Sequence, residues 1–314
     1  MAELRVDWDR PAAMGQEGWD ALLARCPRAN PFQSWSWGAA TAVVHASVNR
    51  RAVILAGERP IGLLQLSERR YLGIATFAQL IRGPLFVGGP ETAAAAPLVF
   101  RHLRKRYRPT RLSMLALTPE LDEGPVAEKF LDDAGFRKVK TGYSSAWLDL
   151  TPNQRLLRRG LRPNFRNQLK KAEEASDLII EEGGDAERDW LLDRHAAHRR
   201  SGRYSGPSPV LLGALPLEEL LVLVARSAPG GAPIAGAMFL RHGATASYEV
   251  GWSGEEGRLR KAHNLLLWNG LLSLKKAGAR RLDLGGLDET DAAGPAHFKR
   301  GLGGEPFTLA GTYV

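Results

Sequence analysis

The chain has 314 residues, enough for two ordinary domains or one large one, and with 44% hydrophobic and 25% charged residues its composition is globular rather than disordered. Its 43 Lys and Arg against 34 Asp and Glu give a net charge of +9. That balance favours an anionic partner and leaves nucleic acid, nucleotide-linked substrates and anionic membrane surfaces all open.

A single cysteine, Cys26, excludes an internal disulfide and any multi-cysteine zinc site. No apolar run reaches membrane-spanning length and the polar start lacks a signal-peptide pattern, so the expectation is a soluble, cytoplasmic protein.

In chain order, the aromatic segment from Phe32 to Trp37 reads as packing at a helix start. Arg51–Gly57 and Pro60–Leu66 read as two strands around a Gly-Glu-Arg turn. The helical run Ala96–Tyr107 then leads into the strand Arg111–Leu117, and Phe130–Phe136 closes the first half with a Gly-Phe element. A boundary is expected near Thr151-Pro152, after the strand Ser145–Leu150.

Beyond that boundary lies a strongly basic helical segment, Gln154–Lys171, interrupted at Pro163 and carrying Arg155, Arg158, Arg159, Arg162, Arg166, Lys170 and Lys171 with no acidic residue. The second half then repeats the first. Leu221–Arg226 and Pro233–Leu240 are strands, and the apolar helix Leu265–Lys276, ending at Gly278, leads into the strand Arg281–Leu284. Matching landmarks recur in order at an offset of about 170 residues, which points to a duplicated α/β unit with domains 1–150 and 151–314, the second carrying most of the active site.

Lys299, set between Phe298 and a Gly-x-Gly-Gly turn, combines a cation with close backbone approach and suits a phosphate or a developing oxyanion, with Arg300 beside it. Tyr248 reads either as a phenol donating to a carbonyl or acceptor, or as a half-buried strand aromatic. Asp283, before Gly285-Gly286, reads either as an active-site carboxylate or as a turn cap. The spacing of His195 and His198 tempts a zinc reading, but the three nearby cations Arg199, Arg200 and Arg203 disfavour a metal and suit a diphosphate. No metal and no bound cofactor are expected.

Taken together, Pro31–Trp37, the basic helix after Leu150, Tyr248–Trp252, Asn264–Trp268, Leu282–Gly286 and Phe298–Gly301 resemble the FemABX family of aminoacyl-tRNA-dependent peptidyltransferases. The resemblance spans nearly the whole chain in element order and is most specific between Tyr248 and Gly304. It implies two tandem GNAT-like domains and aminoacyl transfer from aminoacyl-tRNA to the amine of an acceptor, a peptidoglycan precursor peptide or a small metabolite, forming an amide. It also implies that Lys299 contacts the donor tRNA end and that one of Arg199, Arg200 and Arg203 holds the acceptor's phosphates. On this reading Arg158, Arg159, Arg162, Arg166 and Lys170 meet the tRNA backbone.

Nothing reads as the coiled-coil arm of the larger members, and any element returning to the first domain after Gly311 is expected to be brief. GNAT enzymes that use acyl-CoA carry an Arg/Gln-x-x-Gly-x-Gly/Ala loop. Here Arg258–His263 keeps the leading arginine without either glycine, and Gly88–Ala93 lacks the cation and adds a carboxylate, which argues against acyl-CoA as donor. The alternatives kept are a GNAT N-acyltransferase using acyl-CoA or acyl carrier protein, and a non-catalytic binding module on the same fold.

Overall fold

The computed structural model describes residues 3–88, 90–175, 177–201, 206–287 and 296–314. The first part of the chain forms β1 (Leu4–Asp7), α1 (Arg10–Ala24), α2 (Trp35–Val44), β2 (Val48–Ala56), β3 (Arg59–Tyr71), β4 (Ala75–Ile81), β5 (Leu85–Phe86), α3 (Pro90–Arg106), β6 (Ser113–Thr118), α4 (Pro125–Asp133) and β7 (Lys138–Lys140). Then follow β8 (Ser144–Asp149), α5 (Gln154–Gly160), α6 (Pro163–Glu174), β9 (Ile179–Glu182), α7 (Asp185–Ser201), α8 (Pro209–Gly213), β10 (Leu220–Arg226), β11 (Ala235–His242) and β12 (Thr245–Ser253). The chain ends with α9 (Glu255–Leu259), α10 (Ala262–Lys276), β13 (Arg281–Asp283), a helical turn over 296–300, β14 (Glu305–Thr308) and β15 (Thr312–Tyr313).

Two compact units result. One holds the chain up to Ser144 with His242–Ala244 and Phe307–Val314; the other holds Ser145–Arg241 and Thr245–Pro306. Among the described residues the first sheet runs β1-β2-β3-β4-β6-β15-β7, with β5 on β3, and the second runs β9-β10-β11-β12-β13-β8-β14. These orders correspond strand for strand. In each, an antiparallel hairpin (β2/β3, β10/β11) precedes a strand that reaches its parallel neighbour through a crossover helix: β4 through α3 to β6, and β12 through α10 to β13.

The last strand position differs from the expected division at 150/151. β8, expected to end the first domain, pairs antiparallel with β13 in the second sheet, while β15, from the chain's end, pairs with β6 and β7 in the first. Each half therefore contributes its final strand to the other half's sheet. Ala146 and Leu148 join the second core, and Tyr313, fully buried, joins the first.

Local chemistry sets the boundaries near the pocket. α5 stops at Gly160 and α6 restarts at Pro163, whose fixed φ suits a first helical position, with Arg162 extended at ψ 150° before it. α10 packs its buried residues, from Ala262 to Leu274, against the second sheet, and a Cβ at Gly270 would lie 2.4 Å from the Phe239 ring on β11. Gly278, at φ +91°, closes that helix in the left-handed conformation glycine adopts readily.

The two sheets differ where it matters for a site. β4 and β6 stay paired from Thr76↔Ser113 to Ile81↔Thr118. β12 and β13 pair only from Thr245↔Arg281 to Ser247↔Asp283. Past that point β12 continues through Tyr248 to Ser253 without β13 beside it, and the second unit opens there.

Candidate functional site

A pocket of about 470 Å³ lies along this unpaired part of β12, walled by the start of α10 and by the helical turn carrying Phe298 and Lys299. Tyr248 and Trp252 come from β12, Arg258 from α9, Lys261 from the residue before α10, and His263 from that helix's first residues. Lys261 has φ +57° and stands immediately before the helix, at the place where the acyl-CoA loop pattern has its first glycine.

At the floor, the Tyr248 hydroxyl and His263 Nε2 are 2.7 Å apart. A Cβ at Gly251 would lie 1.7 Å from that hydroxyl and 2.7 Å from His263 Nε2, so the close approach of the pair requires glycine there. His263 Nδ1 is buried and has no hydrogen-bond partner among the described residues. Burial of the imidazole, with the Lys299 charge as a lesser contributor, lowers the His263 pKa to about 4, so the ring is neutral at physiological pH.

Lys299 Nζ lies 5.3 Å from the Tyr248 ring centroid and donates to the Gly286 carbonyl at 3.1 Å. Removal of its ammonium from water lowers its pKa to about 8, with Asp283 and Glu249 acting in the opposite direction. It is thus a partly buried, desolvated cation and not a lysine on a solvated loop.

Asp283 is 2% exposed and stands behind the pocket wall. It accepts from the Ser145 hydroxyl and, at 2.9 Å, from the Gly285 N–H. Its carboxylate therefore shapes the turn whose next carbonyl, Gly286, holds Lys299. Gly285 is at φ +73°, and a Cβ there would lie 2.9 Å from the Tyr248 carbonyl and 3.1 Å from Lys299 Nζ. The turn-forming role fits this geometry better than a catalytic one.

The basic segment abuts the Lys299 turn. The Arg162 N–H donates to the Gly301 carbonyl at 2.9 Å, the rings of Phe165 and Phe298 lie 5.3 Å apart, and a Cβ at Gly303 would strike the Gly160 carbonyl at 2.3 Å. Its cations are not equivalent. Arg158 forms a bidentate pair with Glu173 and Lys170 reaches Glu174, because α6 brings back two carboxylates lying just past the acid-free stretch. Arg166 donates to the Arg159 and Leu161 carbonyls at 3.3 and 3.4 Å. Arg155, Arg159, Arg162 and Lys171 are exposed without an ion pair among the described residues.

The second cluster of expected residues is less convergent. Arg199 donates to the Pro207 carbonyl at 3.1 Å, which His195 Nε2 also approaches at 3.0 Å, and Arg200 is exposed. Arg203 lies outside the described residues. Arg194, one turn earlier on α7, sits 5.1 Å from the Trp252 ring. Arg300 is partly buried and does not line the pocket.

His263, Gly251, Trp252 and Lys261 were not singled out by sequence reasoning as site residues. The available signal was that Lys261 and His263 fall where the acyl-CoA loop pattern has its glycines.

Residues 158–300 match the family model of the acetyltransferase (GNAT) domain. No curated protein sequence gives a significant match. Among solved structures the chain is similar to FemX, at 14% identity over 95% of each chain with a TM-score of 0.78. It is also similar to a conserved protein of unknown function from Bacteroides thetaiotaomicron VPI-5482, at 12% identity over 100% of this chain and 98% of that one with a TM-score of 0.59. A tandem GNAT protein from the clavulanic acid biosynthesis pathway matches at 16% identity over 99% and 98%, with a TM-score of 0.50. The fold is therefore that of a tandem GNAT protein, two α/β GNAT-like domains in one chain, and it is FemX-like over nearly the full length.

Proposed function

We propose that the protein is an aminoacyltransferase of the FemABX kind, moving an aminoacyl group from aminoacyl-tRNA to the amine of an acceptor, a peptidoglycan precursor peptide or a small phosphate-bearing metabolite. The observation that carries this reading is the junction of α5–α6 with the Lys299 turn. Exposed cations without an ion pair among the described residues, Arg155, Arg159, Arg162 and Lys171, stand on the segment that abuts the turn of Lys299, which floors the pocket with Tyr248 and His263. A phosphate backbone on that segment would deliver its 3′ end to the pocket.

The chemistry asked of the site is modest because the donor ester is already activated. The acceptor nitrogen attacks the ester carbonyl, the N–C bond forms, the C–O bond to the ribose breaks, and the ribose oxygen leaves with a proton. The pocket aligns the amine. Lys299, still mainly protonated at pH 7, places an ammonium where the carbonyl oxygen gains charge, and Tyr248 offers a phenol beside it. Asp283 and Ser145 hold the turn that positions Lys299. No group of the chain is assigned as general base, and proton removal by the substrate itself meets the requirement.

The GNAT acetyltransferase match favours a second reading, acyl transfer from acyl-CoA. Against it, the side chains of Lys261 and His263 stand where that chemistry needs open glycine backbone for a pyrophosphate. One experiment separates the readings. Labelled charged tRNA and, separately, labelled acetyl-CoA are incubated with the protein and an extract as acceptor source, with Lys299→Ala and Lys299→Arg in parallel. Label should pass from tRNA into an amide, Lys299→Ala should lower the single-turnover rate by about 10²–10³, and Lys299→Arg should restore part of it. Transfer from acetyl-CoA alone overturns the proposal in favour of the second reading, and transfer from neither donor supports a binding module.

A further inference from the structure

The first unit carries an apolar cluster that the pocket does not use. β3 has 13 residues where its counterpart β11 has 8, and its hairpin with β4 closes through Tyr71-Leu72-Gly73-Ile74. Leu72 is 94% and Ile74 70% exposed. The register pairs Tyr71 with Ala75, Arg69 with Phe77, and Phe77 with Met114, so Tyr71, Phe77 and Met114 share one face of the sheet. Leu112, also exposed, adjoins them, since its carbonyl accepts from the Thr76 N–H at 2.9 Å. Solvent-facing side chains of this kind gathered in one place mark an interaction surface.

The two segments that carry the cluster bear charge of one sign. Arg69, Arg70, Arg108 and Arg111 flank it, exposed and without an ion pair among the described residues, and neither 69–77 nor 108–114 contains an acidic residue. The nearest carboxylate in sequence, Glu68, is buried and held by Arg50 at 2.9 Å and by the Tyr107 hydroxyl at 2.5 Å.

We propose that this hairpin tip docks on an anionic phospholipid bilayer. Leu72 and Ile74 would enter the boundary between headgroups and acyl chains, Tyr71 would lie at headgroup level, and the arginines would reach phosphates while their stems cover the apolar surface. A second copy of the chain fits poorly, because facing two such patches brings the four arginines of each together. No described helix is long and apolar enough to cross a membrane, so the contact is peripheral. This proposal is independent of the donor the pocket uses.

Sedimentation with vesicles tests it. The protein should sediment at low salt with phosphatidylcholine vesicles containing phosphatidylglycerol and not with phosphatidylcholine alone. Arg69→Gln with Arg111→Gln should lower the partition coefficient about thirty-fold, and Leu72→Asp with Ile74→Asp should abolish binding. Val126→Asp, at an exposed position at the start of α4, should leave binding unchanged. Because Leu72 and Ile74 are exposed, thermal melts of their variants should match the parent.

Failure of the parent to sediment with the anionic vesicles overturns the proposal, as does equal binding by the Leu72 and Ile74 variant. A concentration-dependent dimer that the same variant dissolves, without vesicle binding, would assign the patch to a second copy instead.

Discussion

The Tyr248 hydroxyl and His263 Nε2, 2.7 Å apart, meet over a glycine, Gly251, that leaves no room for a methyl group. His263 is neutral and so carries one N–H. Placed on Nδ1, that proton would be a buried donor with no acceptor among the described residues; placed on Nε2, it donates to the phenolic oxygen. The hydrogen-bond pattern thus assigns the Nε2–H tautomer and leaves the phenolic proton to another acceptor. On the proposed function, His263 acts as a positioning residue for Tyr248.

Gly251→Ala should break this pair. The added methyl would displace the phenol, and overpacking should cost about 1–3 kcal/mol of stability together with a loss of transfer. In a Tyr248→Phe background the clash at 1.7 Å disappears and only the contacts with His263 at 2.7 Å remain, so the second substitution should cost less than the first. Melts and transfer rates on the four proteins of the cycle check this. Strict additivity would show that the two residues do not act through one contact.

The pH profile of transfer should reflect Lys299. On the proposed function the ammonium form is the active one, and its pKa is lowered to about 8, so turnover at saturating acceptor should fall as pH rises through about 8. Lys299→Arg, slower but permanently charged, should lack that alkaline fall. His263, with a pKa near 4, should add no inflection between the two values. An alkaline limb shared by the parent and Lys299→Arg would assign it to another group.

Lys299 should also cost stability. Its native pKa, about 8, lies below the ordinary 10.5, so between those values the unfolded chain binds more protons and stability rises with pH. Below that window the folded protein carries the desolvated ammonium at a penalty. Lys299→Met should therefore stabilise the protein at pH 7, on the order of 1–2 kcal/mol once partial solvent screening is allowed for, and the gain should shrink as pH approaches 10.5. Melts of both proteins at pH 7 and at the alkaline end measure it; a destabilised Lys299→Met at pH 7 would contradict a strained functional cation.

Hairpins and crossover helices were legible because apolar alternation in Arg51–Leu66 and the long apolar run of Leu265–Lys276 are local signals. The exchange of β8 and β15 was not. β15 has two residues, too few for a period, and its pairing partners β6 and β7 lie far away in sequence. Tyr248 and Lys299 stand out in the sequence as candidates and lie close together in the fold, whereas His263 reads in sequence as the opening of an apolar helix. Its meeting with Tyr248 depends on Gly251 and on β12 running past β13. The charge of the basic segment was legible as a count but not as an available surface, since the fold decides which cations meet Glu173 and Glu174, Arg158 the first and Lys170 the second.

That distinction gives a test of the donor. Arg159→Gln with Arg162→Gln removes two cations that have no ion pair among the described residues, on the segment that abuts the Lys299 turn, so the salt slope of tRNA binding should shrink by roughly 1.5, at about 0.7–0.9 for each phosphate no longer neutralised, and affinity at low salt should fall. Arg158→Gln with Glu173→Gln removes a bidentate pair without changing net charge. Exposed pairs of this kind contribute at most about 1 kcal/mol, so both folding and the salt slope should stay near the parent's. Fluorescence titrations of charged tRNA at several salt concentrations compare the three proteins. Equal slopes in all three would mean that the α5–α6 cations do not meet the phosphate backbone, and the donor's approach to the pocket would have to lie along another face.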